Sequence, residues 1–203
     1  MREPTTILLV RHGLNDYVGR ALAGRSPGVH LNDEGRRQAE RLADRLAHLP
    51  LSTVYTSPLE RAVETARPIA SALSLELRFC DAAMELDFGE WTGRTIAELE
   101  ADPLWKRFNT ARCSTRAPGG ELMAEAQGRM TAAIEELRAV HPGESIVLVS
   151  HADVIRAALA HYASVSLDAI GRFEIRPASV SALKLWDDWA LVLCVNETGE
   201  VSI

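Results

Sequence analysis

The sequence has few cysteines, no basic excess and no long apolar run. Its three cysteines, Cys80, Cys113 and Cys194, are far apart and odd in number, which excludes a disulfide framework or a CxxC metal site. This usage fits a reducing compartment, so we expect a cytoplasmic protein. The formal net charge of −6 disfavours nucleic acid and anionic membranes as partners. No apolar stretch approaches the length of a membrane span.

The sequence also lacks repeats, low-complexity tracts and linker-like segments. Its 203 residues, of which 47% are apolar and 25% charged, resemble ordinary globular proteins and are enough to bury a full core. We therefore expect one domain over residues 1–203. Residues 1–4 lead directly into the first apolar run, so we also expect no secretory signal peptide.

A wholly aliphatic run, residues 7–10, ends abruptly in Arg11, His12 and Gly13. An apolar run without polar alternation predicts a strand buried on both faces, as in parallel sheets. Ligands of open α/β sheets bind beyond the carboxyl ends of the strands, where Arg11 and His12 would stand. Arginine binds phosphate oxygens through the N–H donors of its planar guanidinium group, and neutral imidazole is a competent nucleophile. By itself the tripeptide favours a plainer interpretation, a salt-bridged arginine beside a structural histidine.

A second predicted strand, residues 52–56, is followed by the start of a helix. Ser57, with proline next to it and a glutamate three residues on, has the form of an N-cap with a capping box. Arg61 would then lie in the first helical turn. An arginine there opposes the helix dipole, so an anion such as phosphate would be needed to compensate it.

A third aliphatic strand, residues 144–150, repeats the arrangement of the first and ends in His151. Residues 150–153 again have the form of a capping box, which predicts that a helix begins at this histidine. The amino end of that helix would add backbone N–H donors and a favourable dipole to any anion site at the strand ends.

The remaining segments supply the other layers of the predicted fold. A polar loop containing Gly24 follows the first strand, and Asn32 or Asp33 then caps a helix that ends before Pro50. Further predicted elements are an edge-like strand over residues 75–79, a broken helix over 96–108, a long helix over 121–140, and a hairpin of 180–185 and 190–195.

Two arginines and two histidines would therefore meet at one edge of a parallel sheet. Positive and hydrogen-bonding groups of this kind predict an oxyanion pocket. A metal site is the alternative, because histidine is a common metal ligand. Arginines repel cations, however, and only one carboxylate is expected nearby, so phosphate is favoured over metal.

Several blocks of residues also occur together in a distinctive order. They are Arg11-His12-Gly13, residues 57–62 (SPLERA), residues 85–93 (ELDFGEWTG) and residues 150–156 (SHADVIR), with Gly35, Gln38, Ala39 and residues 118–121 (PGGE) between them. Together these blocks resemble the histidine phosphatase superfamily, in its phosphoglycerate-mutase-like branch. The resemblance implies an α/β fold, a three-layer α/β/α sandwich with a mostly parallel central sheet.

The resemblance also implies roles for particular residues. His12 would be the nucleophile that becomes a phosphohistidine, and Glu85 would protonate the leaving alcohol and then activate water. A second group would bind the transferring phosphoryl group and substrate: Arg11, Arg61, His151, Ala152 and Gly24. Neither a metal ion nor another cofactor is implied.

The chain departs from the family pattern close to the nucleophile. Family members often carry a polar residue after Arg-His-Gly, then serine or threonine, then asparagine three residues on, where this chain has Leu14, Asn15 and Val18. Val18 lacks the hydrogen-bond donor that asparagine would offer to phosphate. Ala152 replaces a frequent glycine, and Leu122 a frequent serine.

Phosphatase is the leading expectation, with a small anionic phosphorylated metabolite as substrate. A phosphoglycerate-mutase-type phosphoryl transfer ranks second, because such mutases tend to be longer and to shield the phosphohistidine from water. A catalytically weak phosphate-binding regulatory module ranks third.

Two features leave further alternatives open. Four basic residues would overhang the pocket, either recruiting a polyanionic substrate or simply forming a solvated face: Lys106, Arg107, Arg112 and Arg116. The final hairpin would either pair with a second chain, giving a homodimer, or form the edge of the sheet.

Overall fold

The computed structural model describes residues 3–201. The expectation about the first residues includes Met1 and Arg2, which lie outside the described residues. The strands are β1 (Thr5–Arg11), β2 (Leu51–Thr56), β3 (Leu77–Phe79), β4 (Ser145–Ser150), β5 (Val180–Leu185) and β6 (Ala190–Glu197). The helices are α1 (Asp33–Leu46), α2 (Glu60–Leu73), α3 (Ile96–Glu100), α4 (Pro103–Thr110), α5 (Met123–Val140) and α6 (Ala152–Tyr162), with short 3-10 turns at Asp81–Ala83, Gly89–Trp91 and Leu167–Arg172.

These strands form one sheet in the order β3-β2-β4-β1-β5-β6. The first four strands in that order run parallel, and β5 and β6 form the predicted hairpin, antiparallel to β1 and to each other. The mostly parallel sheet expected from the sequence is confirmed. Because β2, β4 and β1 are neighbours, their carboxyl ends meet at the centre of one edge.

Helices cover both faces of this sheet. Leu8 and Val10 of β1 pack in a core with α1 and α2, whereas Ile7 and Leu9 pack in a second core with α5 and α6. All four side chains are fully buried. The absence of polar alternation in this strand thus reflects burial on both sides, and the three-layer α/β/α sandwich is confirmed.

Most predicted boundaries lie close to the observed ones. Asn32 is the N-cap of α1, where its side chain accepts a hydrogen bond from the Gly35 N–H at 2.9 Å. The broken helix over 96–108 is two helices, and Asp102 caps the second of them through the Leu104 N–H at 2.9 Å. The edge strand β3 is shorter than predicted.

The two serine caps predicted from capping-box patterns were wrong. α2 begins at Glu60, and Ser57 Oγ instead lies 2.8 Å from Nε2 of His151. Ser150 donates to the Ala83 carbonyl at 2.7 Å rather than to a helix terminus. Both hydroxyls are fully buried at strand ends, where their hydrogen bonds to neighbouring elements, at 2.7–2.8 Å, replace a helix cap.

A close backbone contact between α1 and the loop after β1 holds that loop in place. A Cβ on Gly35 would lie 2.0 Å from the Leu14 carbonyl oxygen, and one on Gly13 would lie 2.7 Å from the Gly35 carbonyl oxygen. The Leu14 N–H also donates to Gln38 Oε1 at 2.8 Å. The segment that follows Arg11 and His12 is therefore fixed against the first turns of α1.

We expect Gly35→Ala to destabilise the protein by about 1–3 kcal/mol, because the added methyl group meets backbone that cannot turn aside. Gly128→Ala is the matched control: Gly128 is exposed inside α5, with open space where its Cβ would stand. That substitution should stabilise the helix by about 0.5–1 kcal/mol. Thermal unfolding of both variants checks the prediction, and equal changes of the same sign would contradict it.

Candidate active site

Three neighbouring strands bring the predicted functional side chains to one edge of the sheet. Arg11 ends β1 and His12 follows it, Arg61 lies in the first turn of α2 after β2, and His151 lies between β4 and α6. Arg11 and Ser150 are paired across β1 and β4, which places the next residues, the two histidines, side by side. Their ring centroids are 5.1 Å apart.

His12 is held as a neutral ring with one free nitrogen. Its Nδ1 lies 2.7 Å from the Gly13 carbonyl oxygen. Since a carbonyl only accepts, Nδ1 carries the hydrogen and the lone pair is on Nε2. Burial, followed by the charges of Arg61 and Arg11, lowers the pKa of His12 well below its ordinary value. The ring is therefore uncharged at neutral pH, with a lone pair that could act as a nucleophile.

The two arginines are anchored by backbone carbonyls and have N–H groups left over. Arg61, which is 1% exposed, donates through Nη2 to the Gly24 carbonyl, and Arg11 donates through Nη1 to the Ile175 carbonyl, both at 2.7 Å. Nε of Arg11 and both Nε and Nη1 of Arg61 are buried with no partner among residues 3–201. Burial lowers the pKa of each guanidinium, yet arginine stays charged at neutral pH. These donors favour a bound anion.

His151 adds a further donor. Ser57 Oγ accepts from the Leu59 N–H at 3.4 Å and lies 2.8 Å from Nε2 of His151. When the Ser57 hydroxyl donates to Nε2, the neutral ring carries its hydrogen on Nδ1. That Nδ1 is buried and unpartnered within the described chain. Burial, then the charge of Arg61, lowers the pKa of His151 well below its ordinary value.

Glu85 lies at the same cleft, in a loop that is held at its backbone. Its Oε1 accepts from the Leu86 N–H at 2.9 Å. Its carbonyl accepts from Arg25 Nε at 2.9 Å and from Arg129 Nη2 at 3.1 Å. Both arginines are themselves paired with Glu121. The ion pairs of Arg25 and Arg129 with Glu121 thus fix the backbone of the loop that carries the Glu85 carboxyl.

The charges around Glu85 act in opposite directions. Burial raises its pKa, and the neighbouring negative charge of Asp153 raises it further, whereas Arg61 and Arg11 lower it. The net shift is upward, so Glu85 holds its proton at higher pH than an exposed glutamate.

Asp153 and Arg156 line the cleft and were not assigned a role from the sequence. Asp153 Oδ1 lies 2.9 Å from Arg156 Nη1 and 3.3 Å from Arg112 Nη1. Burial opposes its ionisation, but Arg112 and Arg156 lower the pKa of Asp153 below its ordinary value. The expectation of a single carboxylate at the site was wrong. Asp153 and Arg156 are three residues apart in the predicted helix that follows His151. This spacing is typical of ion pairs within a helix and was the sequence signal for the pair.

The lining of the cleft also contains apolar side chains and the predicted binding residues. The apolar residues include Val18, Leu22, Phe88 and Ile96, and both Gly24 and Ala152 also line the cleft. Of the four overhanging basic residues, Arg112 reaches the cleft wall through Asp153, Arg116 pairs with Glu125 on the surface, and Lys106 and Arg107 are exposed on α4.

Residues 3–201 contain neither a metal-ligand cluster nor a membrane-spanning helix. No three His, Cys, Asp or Glu side chains in this part of the chain are grouped so that they could hold a metal ion. None of its helices is both long and apolar enough to cross a membrane.

Comparison with known proteins extends the resemblance noted above. The histidine phosphatase superfamily (branch 1) matches residues 7–198. Phosphoserine phosphatase 1 of Hydrogenobacter thermophilus is 32% identical over 95% of this chain and 92% of its own length. Phosphoglycerate mutase-like protein 4 of Arabidopsis thaliana is 33% identical over 95% and 88% respectively.

Solved structures agree with these sequence matches. The structure of mycobacterial glucosyl-3-phosphoglycerate phosphatase Rv2419c superposes with a TM-score of 0.86, at 26% identity, over 97% of this chain and all of that one. The chain therefore belongs to the histidine phosphatase superfamily, in its phosphoglycerate-mutase-like branch.

Removing one of the buried donors should weaken anion binding. We expect Arg61→Ala to reduce the affinity for inorganic phosphate roughly 10- to 100-fold, which is the loss expected when a hydrogen bond to a charged group is removed. Arg116→Ala, which removes an exposed arginine paired with Glu125, is the control and should bind phosphate as the wild type does. Isothermal titration calorimetry measures both, and equal affinities would show that the anion binds elsewhere.

Proposed function

We propose that this chain is a metal-independent phosphomonoester hydrolase that acts through a phosphohistidine on His12. One observation carries the proposal: a neutral histidine with a free Nε2 stands near the buried side chains of Arg11, Arg61 and His151, each of which has a nitrogen without a partner in residues 3–201. Membership in the superfamily, with phosphatases among the relatives, supports the same conclusion.

In the first step, the Nε2 lone pair of His12 attacks phosphorus. A P–N bond forms while the P–O bond to the leaving alcohol breaks. Glu85 gives its proton to the departing oxygen, so that an alcohol leaves instead of an alkoxide. Arg11, Arg61 and His151 stabilise the charge on the equatorial phosphoryl oxygens, which is the main contribution that a protein makes to phosphoryl transfer.

In the second step, water takes the place of the departed alcohol. The Glu85 carboxylate accepts a proton from this water, and the water oxygen attacks phosphorus as the P–N bond breaks. Inorganic phosphate leaves, Nε2 regains its lone pair, and Glu85 is again protonated. Two displacements thus replace one direct and slower hydrolysis.

We infer that the substrate is a small anionic phosphorylated metabolite. The lining of the cleft includes Arg156 and the ionised Asp153 as well as apolar side chains. A leaving group that combines a charged end with a short carbon skeleton matches both kinds of lining. The phosphatase relative that acts on phosphoserine, by its name, supports a substrate of this size.

A mutase is the second candidate, favoured by the relative named phosphoglycerate mutase-like. It would share the first step and differ in the second, where an alcohol of the product replaces water as acceptor. Incubation of 2- and 3-phosphoglycerate separates the two, because a mutase interconverts them and a phosphatase releases inorganic phosphate. Retention of phosphate without turnover of any phosphoester would favour a binding module instead.

The nucleophile is tested by trapping the intermediate. His12→Ala should abolish both the hydrolysis of para-nitrophenyl phosphate and the acid-labile, base-stable phosphoenzyme expected for a phosphohistidine. His48→Ala, at an exposed histidine, is the matched control and should retain both. The assays contain excess EDTA, so loss of wild-type activity that a divalent ion restores would contradict metal independence. Wild-type turnover by His12→Ala would contradict the nucleophile.

The acid is tested by varying the leaving group. Glu85→Gln keeps the shape of the side chain but carries no transferable proton, so phosphoenzyme formation from an alkyl phosphate should slow roughly 10²–10⁴-fold. Formation from para-nitrophenyl phosphate should slow much less, because nitrophenolate leaves without a proton. Arg61→Ala should slow both substrates alike. Single-turnover kinetics provide the measurement, and equal slowing of both substrates by Glu85→Gln would make Glu85 a positioning residue.

The pKa shifts predict the pH dependence of this first step. As the pH falls through the lowered pKa of His12, the nucleophile is protonated and the rate drops. As the pH rises through the raised pKa of Glu85, the acid loses its proton and alkyl phosphates react more slowly. The alkaline decline should be absent in Glu85→Gln, and its persistence there would assign it to another group.

A further inference from the structure

The loop after β1 contributes one more polar side chain to the cleft. Asn15 lines the same cleft as Arg11, His12 and Arg61, and it is 2% exposed. Neither the catalytic steps above nor the fold accounts for its amide nitrogen. The burial of an entire amide at this position therefore needs an explanation.

The hydrogen bonds of the loop distinguish the oxygen of the Asn15 amide from its nitrogen. Oδ1 of Asn15 accepts from the N–H groups of Tyr17 at 3.0 Å and Val18 at 3.2 Å. A flipped amide would point its NH₂ at these two donors, so the orientation is fixed. Nδ2 therefore lies on the other side, buried and without a partner among residues 3–201.

An unpaired buried donor destabilises the folded protein unless a ligand satisfies it. Within residues 3–201, the unpartnered donors of Arg11 and Arg61, which line the same cleft, are of the same kind. Val18, which also lines the cleft, has no side-chain donor at the position where the family often has asparagine. This chain carries an amide three residues before that position, at Asn15.

We propose that Asn15 Nδ2 donates a hydrogen bond to the transferring phosphoryl group and supplies the amide donor that Val18 lacks. This inference rests on the proposed function. Asn15 would thus be a catalytic residue that adds a neutral donor to a cationic pocket. Its contribution is common to all phosphoesters, since it contacts the phosphoryl group and not the leaving alcohol.

Two substitutions distinguish a phosphoryl donor from an amide that only holds the loop and from one that is merely nearby. Asn15→Asp keeps an oxygen for the two loop N–H groups but replaces the donor with a negative charge. Asn15→Ala removes the donor without adding charge. An amide that only holds the loop predicts that Asn15→Ala loses anion binding together with thermal stability, whereas an amide that is merely nearby predicts that Asn15→Ala retains anion binding. A phosphoryl donor predicts that both lose it.

The probes are inorganic phosphate and orthovanadate, used as competitive inhibitors of hydrolysis. We expect both variants to bind them roughly 10- to 100-fold more weakly and to lose kcat/KM by a similar factor on aryl and alkyl phosphates alike. Circular dichroism should show a folded protein, and Asn15→Asp should unfold near the wild-type temperature. Wild-type inhibition constants in either variant would overturn the assignment.

Asn196→Asp is the matched control, because it adds the same charge on β6. Its Oδ1 likewise accepts from a backbone N–H, that of Arg176. This variant should be inhibited as the wild type is. The phosphoenzyme keeps the two proposals distinguishable: turnover by His12→Ala contradicts the function, whereas wild-type phosphoenzyme formation by the Asn15 variants contradicts only the role of Asn15.

Discussion

The site depends on buried cationic donors that the protein itself leaves partly unpaired. Burying a guanidinium without partners is costly, and the carbonyls of Gly24 and Ile175 satisfy only part of Arg61 and Arg11. The remaining N–H groups, Nε of Arg11 and both Nε and Nη1 of Arg61, are buried and have no partner among residues 3–201. The pocket is therefore organised for an oxyanion before any ligand arrives, which is the condition for electrostatic catalysis.

The two histidines show how neighbouring groups give one residue type two functions. His12 bonds to a carbonyl, which only accepts, so its hydrogen is fixed on Nδ1 and Nε2 has a lone pair. His151 bonds to a hydroxyl that can donate, so its hydrogen can be on the nitrogen facing the anion. Ser57 and Gly13 thus decide which nitrogen of each neutral ring carries the hydrogen, and under the proposed function His12 attacks and His151 donates. Burial, with the charges of the arginines added to it, lowers the pKa of both rings and keeps them uncharged.

The sequence was most informative where periodicity and topology coincide. Aliphatic runs such as residues 7–10 predict buried parallel strands, and parallel strands bring Arg11, His12, Arg61 and His151 together by necessity. Capping boxes were less informative, because the same serine pattern arises when the hydroxyl bonds across a buried sheet edge, as at Ser57 and Ser150. Which side-chain nitrogen lacks a partner, as in Asn15, depends on contacts that no local pattern encodes.

The pKa of Glu85 also depends on charged groups beyond its own loop, and the charge around it would change when substrate binds. In the free protein, burial and Asp153 raise its pKa against the lowering effect of Arg61 and Arg11. A phosphate dianion would neutralise those two arginines and place a like charge beside the carboxyl, so both changes raise the pKa further. Asp153, kept ionised by Arg112 and Arg156, would maintain its own contribution throughout. Binding of the substrate would therefore protonate the acid at the stage when a proton is required.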